Sequence, residues 1–224
     1  MNIRICKFTR LCDIVKYTQS IRDNKLSDVV IIFKKAAGRD GVAVSKTFLD
    51  ENFNMEFIKD NNIDIQRSLV GYGDYGNVLS LPEITFMIAI PMNTSERFSK
   101  EYAECAFERL FNCEKPDGDN NDFIKDGKKV LGRGIYNSGD MYHAIGSLSG
   151  IPERIDNVFS DFWRQSGKIP PSKRVMGYRE AVGNPDADIE DFARDLKFRM
   201  NEQLKNTIQD IAVFDMDKEG ESVV

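Results

Sequence analysis

The stretch Asn120–Ser149, NNDFIKDGKKVLGRGIYNSGDMYHAIGSLS, decides how the rest of the chain is read. Asp126-Gly127 separates two strand-like segments, Phe123–Lys125 and Lys129–Tyr136, and such a pair favours a type I′ hairpin. Asn137–Asp140 (NSGD) is a second turn, and Met141–Leu148 follows as a third strand. Outward from this meander, Val29–Phe33 (VVIIF) has the β-branched continuity of a buried strand. Gly41–Ser45, Ile63–Ser68 and Ile84–Ile90 are further strand candidates.

The helices have apolar residues at helical spacing. Asp50–Asn61 carries Phe53, Phe57 and Ile58, and Asn61-Asn62 stops it. Ser95–Phe111 lines up Phe98, Tyr102, Cys105, Ala106 and Leu110, a stripe that predicts a core-packed cysteine. Pro152 suits a helix first turn, and Ile155, Val158, Phe159 and Phe162 then predict a helix docked on a sheet. Ile189–Ile211 is the longest candidate, with Phe192, Leu196, Met200, Leu204 and Ile208 as its apolar line. Hairpin strands with interspersed helices, without regular βαβ alternation, predict an α+β fold: a mixed, mainly antiparallel sheet flanked by helices.

Composition narrows the function. The 224 residues carry 31 Lys and Arg against 36 Asp and Glu, a net charge of −5. Hydrophobic residues make up 41% and charged residues 30%, as in a soluble globular protein. The length suits one large domain or two small ones; the turn cluster Lys115–Asn121 is either a boundary or an internal loop. No apolar run approaches the roughly 20 residues of a membrane span. Met1–Arg10 lacks a secretory h-region, and the acidic balance argues against a nucleic-acid partner. A lone histidine, His143, argues against a His-based triad or a His-rich metal site. Cys6, Cys12, Cys105 and Cys113 lack CxxC spacing and read as reduced thiols of a cytoplasmic protein.

The central meander also concentrates the chemistry. An Asn-Asp pair, a Lys pair, two glycines and a Gly-Ser turn fall on adjacent strands. Backbone N–H groups beside glycines can approach phosphate, a strand lysine offers a fixed positive charge, and an aspartate can hold Mg²⁺. A solvated hairpin with its charges in water is the alternative reading of the same residues.

The segment resembles the central signature of the lipoate–protein ligase A family. That signature has Asn-Asp, a hydrophobic strand, a short turn, then Lys-(Ile/Val)-x-Gly-x-(Ala/Gly). Asn121-Asp122 and Lys129-Val130-Leu131-Gly132 fall on it in order, and Gly146-Ser147-Leu148 falls on the next landmark, with His143 slightly displaced. Ser172-Lys173-Arg174-Val175 is similar to a later basic motif. Gln66–Gly73 stands where the family has Arg-Arg-x-(Ser/Thr)-Gly-Gly-Gly, with the triple glycine reduced to Gly71, Tyr72, Gly73 and no following His-Asp. The likeness spans roughly residues 28–210 and is strongest in 120–150.

The resemblance implies a biotin/lipoate protein ligase-like catalytic domain. ATP and a lipoyl or octanoyl carboxylate would give an acyl-adenylate, and a lysine of a lipoyl-carrier domain protein would then take the acyl group. Lys129 would be the catalytic residue, stabilising charge in both transition states. Asp122 would hold Mg²⁺ or orient the adenylate, and Asn121 would lie near phosphate or ribose. Arg67, Gly71, Tyr72 and Gly73 would cover the acyl chain and phosphate, Gly132 and Arg133 would lie beside the adenylate, and Gly146-Ser147 would offer backbone groups to the nucleotide. Related octanoyl-transferases use a cysteine nucleophile; Cys105 and Cys113 are the formal candidates here.

Many ligases of this kind carry a C-terminal accessory domain, in some members a separate polypeptide. The expectation here is one domain over residues 1–224 without it, ending in a frayed tail at 216–224. The competing reading is a catalytically degenerate relative that binds a nucleotide, an acyl chain or a partner protein. Tyr72 or Arg133 filling the cleft beside Lys129 would favour it.

Overall fold

The computed structural model describes residues 1–23, 26–35, 39–45, 49–68, 85–92, 99–117, 121–136, 141–203 and 208–218. Nine strands lie among them: β1 (Ile3–Phe8), β2 (Val29–Lys34), β3 (Gly41–Ser45), β4 (Asp64–Ser68), β5 (Thr85–Pro91), β6 (Asp122–Lys125), β7 (Lys128–Tyr136), β8 (Met141–Ser147) and β9 (Ile211–Asp215). Seven form one sheet in the order β6-β7-β8-β5-β2-β1-β9, and β3 and β4 form a small parallel sheet. β1 runs parallel to β2 and to β9, and the other neighbours in the large sheet are antiparallel. The mixed, mainly antiparallel architecture is the expected one.

The hairpin between β6 and β7 turns at Asp126 (φ 50°) and Gly127 (φ 74°), the paired positive φ angles of a type I′ turn. β2 is buried along its whole length, as its β-branched run predicts, and its residues alternate between two cores. Val29, Ile31 and Phe33 join Phe86, Ile88, Tyr142 and Leu131 under α3 (Lys100–Phe111) and α8 (Ile189–Gln203). Val30 and Ile32 join Met87, Ala89 and Met141 on the opposite face, where α1 (Leu11–Asp23) contributes Leu11, Ile14 and Ile21.

A third core lies on the small sheet. Val42, Val44 and Ile63 pack there with Ile155, Val158 and Phe159. The segment after Pro152 therefore docks on β3–β4, broken into α4 (Glu153–Asp156), a 3₁₀ turn and α5 (Ser160–Ser166).

Several boundaries differ from the sequence expectation. The 50–61 helix is a 3₁₀ turn at Asp50–Asn52 followed by α2 (Met55–Asp60), which Asn54 caps by accepting from the Phe57 N–H. α3 begins after Ser99, whose hydroxyl accepts from the Tyr102 N–H; Phe98 lies outside the described residues. Cys105 is half-buried rather than fully inside, because Ala103, Ala106, Phe107 and Leu110 take the inner face. α8 ends at Gln203, and the chain re-enters the sheet as β9; Leu204 lies outside the described residues. Residues 216–218, expected in the tail, are tethered: Met216 N–H donates to Lys7 O at 3.0 Å, and Asp217 pairs with Lys35.

His143 is 1% exposed on the middle of β8. Burial lowers its pKa from 6.5 to about 4, so it is neutral at pH 7. Between pH 6.5 and 4 the unfolded chain binds the proton and the folded chain does not. The contribution is complete above pH 6.5 and is lost as pH falls toward 4. Denaturant titrations should show the wild type losing about 3 kcal/mol more than His143→Gln between pH 7 and pH 4.

Candidate active site

The β6–β7 hairpin carries the Asn-Asp and Lys-x-x-Gly motifs on paired strands. Asp122 lies directly opposite Gly132, and Phe123 opposite Leu131. The pairing then steps to Ile124 opposite Lys129, which leaves Val130 as an extra residue on β7. Such a one-residue bulge re-aims the side chains beyond it. Leu131 is fully buried in the α3/α8 core. Strict alternation would send Lys129 to the same side, and the bulge turns it to the side of Gly132 instead.

The Lys129 Nζ sits 2.6 Å from Asp122 Oδ1, with the two side chains 26% and 27% exposed. A Cβ added to Gly132 would stand 2.6 Å from that Nζ and 3.5 Å from Asp122 Oδ1. Glycine at 132 therefore makes room for the ammonium group. The obstructing atom is the tip of a flexible side chain, so Gly132→Ala should move Lys129 with little effect on folding. We expect a melting temperature close to wild type, measured by thermal unfolding, with the ammonium displaced from its place beside Asp122.

The later basic motif comes to the same place. α6 (Pro171–Arg174) begins at a proline and ends at Arg174. Val175 then bridges to Lys129, and the Met176 N–H donates to Lys129 O at 2.8 Å. Gly177 passes so near Ser149 that a Cβ would stand 2.4 Å from its carbonyl carbon. α7 (Tyr178–Val182) follows, and Lys125 Nζ donates to Ala181 O at 2.6 Å, which pins the hairpin to it. Lys129 is thus held by its own bulge, by Asp122 and by the 175–176 backbone.

The other predicted residues divide. Ser147 is buried, two residues past Ile145, which pairs with Gly132. Gly146 points the other way: a Cβ there would meet Leu131 Cδ2 at 2.6 Å and Phe86 Cζ at 2.8 Å. Its backbone lies inside the sheet between Phe86 and Leu131, so this glycine answers to core packing.

Arg133 lies on the α3 face. Its Nη1 pairs with Glu104, both side chains under 10% exposed. Its Nε donates to Asn121 Oδ1 at 3.3 Å, and its backbone N–H to Asn121 O at 2.8 Å. It therefore stands away from Lys129, because residues 132 and 133 alternate across the sheet. Arg67, on the small sheet, pairs with Asp50 and lies over the Phe53 ring, 5.9 Å from its centroid. Gly71, Tyr72 and Gly73 lie outside the described residues. Burial, with Glu108 nearby, raises the Cys113 thiol pKa to about 12, unsuited to nucleophilic chemistry at neutral pH.

Among the described residues, no group of three or more His, Cys, Asp or Glu is arranged to hold a metal ion. Nor is any helix among them long and apolar enough to cross a membrane.

No family model matches this sequence, and no curated protein matches it. Solved structures do. LipL1 of P. falciparum, in complex with lipoate, superposes over 97% of this chain with a TM-score of 0.64 at 16% identity. A bipartite lipoate protein ligase from Thermoplasma acidophilum, solved with its E2 lipoyl domain, superposes over 96% with a TM-score of 0.62 at 18% identity. The fold is that of the lipoate–protein ligases. A lipoate-protein ligase A bound with ATP shares it, with a TM-score of 0.61 and 16% identity over 96% of this chain. The chain spans 66% of the P. falciparum ligase, 86% of the T. acidophilum one and 88% of ligase A. Within this lipoate–protein ligase fold, what sequence reading missed is the bulge at Val130 and the Glu104 partner of Arg133. A glutamate among the apolar positions of α3 was the available signal for the second.

Proposed function

We propose that the protein activates a medium-chain carboxylic acid, lipoate or octanoate, with ATP and transfers the acyl group to a lysine of a lipoyl carrier domain. The Lys129–Asp122 pair carries this reading, turned by the bulge onto the Gly132 side of a ligase-type sheet. In the first step a carboxylate oxygen bonds to the α-phosphorus of ATP. The bond to the β-phosphate oxygen breaks, giving acyl-adenylate and pyrophosphate. In the second, the carrier amine attacks the acyl carbon, loses its proton, and AMP departs. Both transition states gather negative charge, and a fixed ammonium is worth most where charge develops. Lys129 supplies it, and Asp122 holds the ammonium group in place.

A Mg²⁺ ion is compatible with a single carboxylate, since Mg²⁺ commonly takes its other ligands from phosphate and water. Asp122 is the residue that would hold it, and the ion would offset phosphate charge. Ser147 would stand beside the same reaction centre and Arg67 on the acyl side, whereas the Asn121 side chain bonds Arg133 on the α3 face. A separate accessory polypeptide is a further expected partner. The Arg133–Glu104 pair faces α3, which supports the enzyme over a binding module with a filled cleft. The test is acid-dependent exchange of labelled pyrophosphate into ATP. Exchange with lipoate or octanoate supports the reading. Silence with every acid, in the presence of an accessory polypeptide, contradicts it.

A further inference from the structure

Lys34 ends β2 with 1% exposure, and its Nζ has no hydrogen-bond partner among the described residues. Its orientation follows from the register. Gly132 pairs with Ile145, Ile145 with Met87, and Met87 with Ile32, so these share the sheet face to which Lys129 is turned. Lys34 lies two residues past Ile32 and Ser147 two past Ile145, so both share that face. Position 85 pairs with Ser147, and Phe86 with Phe33, so Lys34, position 85 and Ser147 fall on one transverse row. Lys129 lies at the same end of the sheet on β7, because Leu131 pairs with Gly146.

The row therefore has a lysine at each end. Neighbouring strands lie about 4.8 Å apart, so β2 and β7 are separated by about 14 Å, on the order of an extended medium-chain acid. A second unsatisfied polar atom, the buried Ser147 Oγ, stands between them.

An ammonium group shut away from water and from protein acceptors is costly. Burial accordingly lowers the Lys34 pKa. Asp40 and Asp64 are its acidic neighbours, but Asp40 pairs with Arg154 at 2.5 Å and Asp64 accepts from Gln66 at 3.0 Å. On a plain acyl pocket this position calls for a methionine or leucine.

We infer that Lys34 recognises the far end of the acyl substrate, and that this substrate carries a carboxylate there: a medium-chain α,ω-dicarboxylate rather than a simple fatty acid. The inference rests on the acyl-activating reading above. One carboxyl meets Lys129 and is activated, and the other meets Lys34, with Ser147 Oγ along the path. A site built to bond a polar group rejects the analogue that lacks it, because its own buried groups are then left unpaired.

The test separates binding from turnover. Calorimetric titration of the full chain with octanedioate, octanoate and lipoate is expected to show octanedioate binding at least about tenfold tighter than octanoate. Lys34→Met should abolish that preference and raise the melting temperature of the free protein, since it removes a buried ammonium with no hydrogen-bond partner among the described residues, without loss of volume. Equal wild-type affinity for octanedioate and octanoate would overturn the inference, as would a preference that survives Lys34→Met. Octanedioate binding without pyrophosphate exchange upholds Lys34 as the recognition group and overturns the ligase reading alone.

Discussion

Lys129→Ala is expected to lower the rate of acyl transfer by a factor of about 10³ while leaving the fold intact. The two effects separate for structural reasons. Lys129 and Asp122 are each about a quarter exposed, so their ion pair contributes on the order of 1 kcal/mol or less to stability. The neighbouring backbone bonds, including Met176 N–H to Lys129 O, do not depend on the side chain. The chemistry loses the ammonium group on the Gly132 side of the hairpin. Lys129→Arg should recover little. The space beside Gly132 is cut to a compact ammonium, and a planar guanidinium sets its charge elsewhere. Asp122→Asn should be milder than Lys129→Ala, since it removes the orienting carboxylate and keeps the ammonium. Single-turnover carrier acylation and thermal melts on the same samples read both effects.

The largest loss of stability should come from Glu104→Ala. This change strands Arg133, whose side chain is 7% exposed, without its counter-charge. Removing one partner of a buried pair costs about 3–5 kcal/mol, whereas replacing both with apolar residues is often neutral or better. Glu104→Ala should therefore lower the melting temperature by roughly 10 °C, and Glu104→Leu with Arg133→Leu should restore most of it. Asn121 Oδ1 also accepts from Arg133, so the double variant also loosens the approach to Asp122. Because the pair faces α3, either variant should retain acylation at temperatures where it is folded. A double variant as unstable as the single one would show that the charges themselves sustain this core.

Where local pattern and tertiary demand agreed, the sequence was readable. Val29–Phe33, Asp126-Gly127 and the strands of the central meander lie where their residues placed them. The misses share a cause. β1 and β9 are edge-side strands whose partners are far apart in sequence, Ile3 pairing with Ile211, and nothing local announces such a pairing. Ile208 continues the apolar line of α8, which makes the helix look as if it runs to Ile211. Ile208 is indeed buried, yet it reaches the core from beyond the helix end. Lys129 and Asp122 were legible as types in a motif, but the bulge that brings them together was not. An extra residue in a strand looks like any other until its partner strand is known. Arg133 is a further case: its side of the sheet follows from register, which the sequence does not print. Lys34 left a trace, as the polar end of the Val30, Ile32, Lys34 alternation.

The central claim is that Lys129 serves ATP-dependent acylation of a carrier lysine. Intact-mass measurement of a lipoyl carrier domain, incubated with the protein, ATP, Mg²⁺, an accessory polypeptide and a medium-chain acid, tests it most directly. The account predicts a carrier mass increased by the mass of one acid less one water, mapped to a lysine, and absent with Lys129→Ala. An unmodified carrier with every acid offered, or modification that persists in Lys129→Ala, would contradict it.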